Sequence, residues 1–150
     1  MIMDLSDLYQ EIILDHNKHP RNAHDMSDAT HSAEGYNPLC GDEIKVYLKL
    51  EGDRVVDISF KGEGCAISKA SASLMTERLK GKTLAELGKE SAFVLDLLSA
   101  EEEPELDLGE VGDLAALSGV RQFPARIKCA TLAWHAVDAA LAGEDKISTE

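Results

Sequence analysis

Two alternating runs joined by a tight turn constrain this chain more than any other feature. From Glu43 to Leu50 apolar and polar residues alternate, with Ile44, Val46, Leu48 and Leu50 on one side. Side chains of a strand point to opposite faces with period two, so these residues line one surface of a half-buried strand. Glu51-Gly52-Asp53 makes a hairpin turn, and Arg54 to Lys61 returns with Val56, Ile58 and Phe60 on one face. The segment from His31 to Tyr36 is a candidate third strand. One face of such a sheet needs a cover, and the remaining segments supply it as helices. The expected architecture is α+β: a small three-stranded antiparallel sheet packed with helices.

Asp4 to Asn17 reads as an amphipathic helix, with Leu5, Leu8 and Ile12 joined by Tyr9 and Ile13 in an apolar stripe. Asp4 or Ser6 can cap its start, and His19-Pro20-Arg21-Asn22 ends it. A second helix runs from Ala66 to about Lys80 and is closed by Gly81. It is rich in small residues, among them Ser68, Ala70, Ser71, Ala72 and Ser73. They allow close approach to another surface, so the serines read as packing residues rather than nucleophiles. Thr83, with Glu86 three positions on, forms a capping box for a helix reaching Leu98. Glu101-Glu102-Glu103-Pro104-Glu105 is an acidic linker, read as a solvated loop before a docking site. Leu106 to Ser118 holds one short helix near Val111 to Leu117. Pro124 suits the first turn of a long helix, Ala125 to Leu141, closed by Gly143. The tail from Glu144 to Glu150 is expected to fray, and residues 1–150 to form a single domain.

The 150 residues are 44% apolar, enough for one core. Their net charge of -13 repels phosphate backbones, which argues against nucleic acid and favours a protein partner with a basic patch. The N-terminus has no basic region followed by an apolar run, and no apolar stretch approaches the roughly 18–20 residues that span a bilayer. A cytoplasmic protein without a membrane partner is expected. In that compartment the three cysteines read as metal or redox groups before a disulfide framework.

Those cysteines sit on unusual backbone. Asn37-Pro38-Leu39-Cys40-Gly41-Asp42 places a thiol and a carboxylate two positions apart in a turn leading into a strand, where alternation can aim both at one point. Cys65 follows Gly62-Glu63-Gly64 and opens a helix, whose N-terminus favours a thiolate. Cys129 lies within the last helix. Three sulfurs and one oxygen suit tetrahedral zinc, and convergence of Cys40, Asp42, Cys65 and Cys129 on one metal is the central hypothesis. Spacing alone leaves the alternative open: no C-x-x-C knuckle is present, and a lone cysteine is more often a small buried hydrophobe. Glycine turns around Cys40 and Cys65 favour convergence, because a core cysteine needs no such backbone freedom. His16, His19, His24 and His31 read as solvated or hydrogen-bonded surface groups.

The run from Asn37 to Asp42, the run Gly62-Glu63-Gly64-Cys65-Ala66-Ile67-Ser68-Lys69-Ala70-Ser71-Ala72-Ser73 and the run Arg126-Ile127-Lys128-Cys129-Ala130 resemble the IscU/NifU-like iron–sulfur scaffold superfamily. The similarity is greatest to its SufU-type branch of zinc-dependent sulfurtransferases, and it spans nearly the whole chain. Lys128 stands where the scaffold type usually carries a histidine, and the stretch from about Ser99 to Val120 looks like the SufU-type insertion. The resemblance implies an IscU/SufU-like fold and a zinc-bound sulfur acceptor that works with a SufS-type, pyridoxal-phosphate cysteine desulfurase. It implies Cys40, Asp42, Cys65 and Cys129 as zinc ligands and Cys40 as the thiolate that takes persulfide sulfur toward iron–sulfur assembly proteins. It further implies that a desulfurase histidine replaces the departing thiolate on zinc. The residues themselves agree on Cys40, which sits on the most deformable backbone, whereas Cys129 is fixed in a helix. The alternative function is a scaffold on which an iron–sulfur cluster is assembled by the same ligands; a structural zinc domain is a third reading. Arg121 and Arg126 flank the last motif, where they either bridge surface carboxylates or orient Asp42 or the partner. Lys128 either supports thiolates or is simply solvated.

Overall fold

The computed structural model describes residues 5–101 and 105–148. Along the chain run α1 (Leu5–Lys18), β1 (His31–Asn37), β2 (Asp42–Glu51), β3 (Arg54–Glu63), α2 (Ala66–Leu79), α3 (Leu84–Ser99), α4 (Leu108–Val111), a 3₁₀ stretch (Gly112–Gln122), α5 (Pro124–Leu141) and β4 (Lys146–Ser148). The expected α+β architecture is present, with a fourth strand. The sheet order is β3-β2-β1-β4, antiparallel except for β4, which lies parallel to β1. Part of the tail expected to fray thus becomes a short sheet edge, because α5 ends beside β1 and returns the chain along it.

The hairpin forms as its alternation dictates, with Ile44, Val46 and Leu48 fully buried. One detail differs. Val55, not Val56, enters the core with Ile58 and Phe60. A register irregularity between Lys49 and Leu50 pairs Leu50 with Val55, which turns that end of β3 over relative to simple alternation. Helices α5 and α2 cover the buried face of the sheet.

Small residues let those helices approach closely. The Ser71 hydroxyl donates to the Ala130 carbonyl and accepts from Trp134 Nε1 (3.1 Å), joining α2 to α5 at a buried polar contact. Ser68, Ser71 and Ser73 are all buried in this packing. Helix α3 starts with the expected capping box: Glu86 N–H donates to the Thr83 hydroxyl and Thr83 N–H to the Glu86 carboxylate. The proposed caps of α1 lie outside the described side chains, as does the centre of the acidic linker.

Between α3 and α5 the expected short helix is replaced by α4 and the 3₁₀ stretch, which buries Leu114 to Ser118 and Val120. Helix α1 packs against α2 and against this stretch. His16, expected at the surface, is buried there; its Nδ1 is hydrogen-bonded to the Ser73 hydroxyl (2.7 Å), which also accepts from Arg21 N–H.

Candidate metal centre

Three backbone devices meet at one end of the sheet. The β1–β2 ladder closes with Asn37 opposite Asp42, so Pro38 to Gly41 form the loop between them and Cys40 projects from it. The turn, rather than strand alternation, brings Cys40 beside Asp42. Gly41 makes the loop possible with φ of 70°, a left-handed conformation that L side chains rarely adopt.

The β2–β3 ladder closes with Glu43 opposite Glu63, which delivers Gly64 and Cys65 to the same edge. The Cys65 N–H donates to Asp42 Oδ1 at 2.8 Å. Gly64 is required by contact: a Cβ there would lie 2.5 Å from Asp42 Oδ1. The third device is α5, packed on β1 and β2, which lays its first turns over this edge and places Cys129 there.

The ligand atoms of Cys40, Asp42 and Cys129 lie within 4.8 Å of one another, and Asp42 and Cys129 are wholly buried. Cys65 adjoins this trio without joining it. Its thiol caps α2, accepting from Ser68 N–H at 3.4 Å, and also acts on the Cys129 thiol. Burial pushes the Cys129 thiol up strongly, and its hydrogen bonds to Asp42, Cys40 and Cys65 add to the rise. A divalent cation among these donors would displace that proton, as metals do when they bind thiols. Two thiols and a carboxylate in one cluster, with a third thiol beside them, form a donor set that fits a metal ion.

Two further residues touch the donors. Arg126, one turn before Cys129 and exposed, donates from Nη1 to Cys40 Sγ at 3.4 Å. The sulfurs of Cys129, then Cys65 and Cys40, hold its guanidinium more firmly protonated than usual. Of the two flanking arginines, Arg126 is thus at the site, whereas Arg121 binds the Ala100 carbonyl and ties the 3₁₀ stretch to the end of α3. Asn37, which carried no expected role, is fully buried and donates to both Asp42 and Cys129. Its place was legible: Ala33, Gly35 and Asn37 are the buried alternates of β1. Lys128 is exposed. Leu39 (72% exposed) and Phe123 (57% exposed) flank Cys40 and Arg126 in the chain as bare apolar side chains.

Fold and site together define a small α+β domain that gathers cysteine and carboxylate donors at one sheet end, part buried and part at the surface. The chain belongs to the NifU-like N-terminal domain family, whose model matches residues 8–146. It is similar to the zinc-dependent sulfurtransferase SufU of Bacillus subtilis (strain 168), with 45% identity over 95% of each chain. The iron-sulfur cluster assembly scaffold protein IscU of Thermotoga maritima is 38% identical, over 89% of this chain and 92% of that one. A crystal structure of a putative iron-sulfur cluster assembly scaffold protein for the SUF system from Fervidobacterium islandicum AW-1 superposes with a TM-score of 0.80 at 33% identity. That match covers 92% of this chain and 99% of the other.

Proposed function

We propose that this chain is a zinc-bound sulfur acceptor, which takes persulfide sulfur from a SufS-type cysteine desulfurase and delivers it to iron–sulfur cluster assembly. The observation that carries the reading is the division of the donor set: Asp42 and Cys129 are wholly buried, while Cys40 stands on a glycine turn beside an exposed arginine. The ligands would be Cys40, Asp42, Cys65 and Cys129. Zinc would supply structure and keep the thiols deprotonated at neutral pH.

The transfer itself needs only Cys40 and the partner. The Cys40 thiolate attacks the outer sulfur of the partner's persulfide; one S–S bond forms at Cys40 while the donor's S–S bond breaks. The donor cysteine leaves as its thiolate, so no oxidant or reductant is consumed. Arg126 is placed to hold the anionic sulfur on Cys40 both before and after transfer. Leu39 and Phe123 give the approaching desulfurase apolar contacts around the acceptor. The chain acts as a single cytoplasmic domain; among the described residues no helix is long and apolar enough to cross a membrane.

The similarity to IscU scaffold proteins supports a second reading, in which an iron–sulfur cluster is assembled on the same donors. Lys128 in place of a scaffold-type histidine favours sulfur transfer. Adding the protein to its desulfurase should raise cysteine turnover greatly, and Cys40→Ala should abolish the gain. Equal stimulation by the variant would remove Cys40 from the acceptor role.

A further inference from the structure

We propose that Asn37 is a positioning residue of the metal centre, whose amide clamps the two buried donors, Asp42 and Cys129, into one binding unit. The inference rests on the metal-site reading above. Asn37 ends β1 on its buried face, immediately before Pro38, so strand and ring together fix the direction of its side chain. Its Nδ2 donates to Asp42 Oδ2 at 3.3 Å and to Cys129 Sγ at 3.4 Å. An amide nitrogen has two hydrogens, and both are thereby committed.

The carbonyl end shows which half of the amide matters. Asn37 Oδ1 is buried with no hydrogen-bond partner among the described residues. Leaving such a group unpaired is unfavourable, because its hydration is lost without replacement. Rotating the amide would give no relief, since it would set Oδ1 against the Asp42 carboxylate, acceptor against acceptor. The fold therefore accepts an orphaned carbonyl in order to present two N–H groups to two donors.

The chemistry explains the choice of residue. A carboxylate and a thiolate side by side repel each other, and the Asn37 amide hydrogen-bonds both at once. A neutral donor bridging the two reduces their mutual repulsion and fixes their spacing without adding a cation that would compete with the metal. Groups that orient ligands in this way are commonly worth about tenfold to a hundredfold in metal affinity. The clamp also separates the thiols by role: Cys129 is hydrogen-bonded by Asn37 into the buried unit, whereas Cys40, on its loop, receives no bond from that amide.

The test uses the full chain and zinc in competition with a chromophoric chelator, in the wild type, Asn37→Leu and Asn37→Asp. Leucine removes both N–H groups at similar volume; aspartate keeps the shape and brings a second carboxylate. Expected are a loss of about tenfold to a hundredfold in zinc affinity for Asn37→Leu and a larger loss for Asn37→Asp. Cobalt-substituted protein should show a shifted sulfur-to-metal charge-transfer band in both. Melting of the metal-free proteins separates folding from binding. Wild-type zinc affinity in both variants would overturn the proposal, whether or not their metal-free stability fell. A wild type that binds no zinc would instead overturn the metal-site reading, and the clamp with it.

Discussion

The two sides of the candidate metal centre are built from opposite materials. On the buried side, Asp42 and Cys129 have no exposed surface, and three groups hold them: the Cys65 N–H, the Asn37 amide and the packing of α5 on the sheet. On the exposed side, Cys40 rides a loop with a left-handed glycine and meets one solvent-facing guanidinium. A site made only of buried donors would hold metal and exchange nothing. A site made only of exposed donors would surrender its metal to any chelator. On the proposed function, joining the two would give a thiol that leaves while the rest of the set stays assembled.

The sharpest contrast is expected between the two cysteines at opposite sides. Cys129→Ala should remove stoichiometric zinc, and its melting temperature should no longer respond to a chelator. For the wild type, free zinc at about a thousand times Kd adds about 4 kcal/mol, so chelation should lower Tm by about 10 °C or more. Cys40→Ala should keep a zinc-dependent rise in Tm. Metal analysis and paired melts measure both; equal zinc loss in the two variants would erase the distinction between the sides.

Gly64→Ala should come next. The new Cβ would press on Asp42 Oδ1 and displace the carboxylate from its place beside Cys129. Zinc affinity should fall by about tenfold or more, read by chelator competition. On the exposed side, Arg126→Ala should leave zinc content unchanged and slow sulfur uptake by Cys40 by about threefold to tenfold, read in single-turnover transfer from the desulfurase.

The smallest effect belongs to His16, buried but remote from the donor set. Burial, helped by Arg21, lowers its pKa from 6.5, while Glu77, Asp113 and Asp15 pull the other way. The unfolded chain then takes up a proton that the folded one resists. Stability should be flat well above pH 6.5 and decline below it, by no more than about 1.4 kcal/mol per pH unit. In pH-dependent melts of metal-free protein, His16→Gln should flatten that decline.

How far the sequence discloses this molecule depends on whether a feature is local. The hairpin and the capping box of α3 are set by neighbours a few positions apart, and both form as read. The irregularity that exchanges Val56 for Val55 lies in the pairing of two strands, and uninterrupted alternation gives no sign of it. Strand β4 is three residues pairing with β1 more than a hundred positions earlier, and nothing within Lys146–Ser148 specifies that contact. The 3₁₀ stretch replaces a short helix because its apolar residues pack against α1 and α3 at once. The meeting of Cys40, Asp42 and Cys129 was argued from turns and motifs, and ladder register is what assembles it. The burial of His16 and Asn37 was legible in part. Each occupies the buried phase of its own element, four residues after Ile12 and two after Gly35, but a polar side chain at such a position invites a surface assignment.

Mapping transferred sulfur after a single turnover tests the division of labour most directly. The protein would be mixed with its desulfurase and cysteine, trapped with an alkylating reagent, digested and weighed peptide by peptide. One added sulfur on the peptide bearing Cys40, with the peptides of Cys65 and Cys129 unchanged, is the expected result. Added sulfur on Cys129, or spread evenly over all three cysteines, would contradict it.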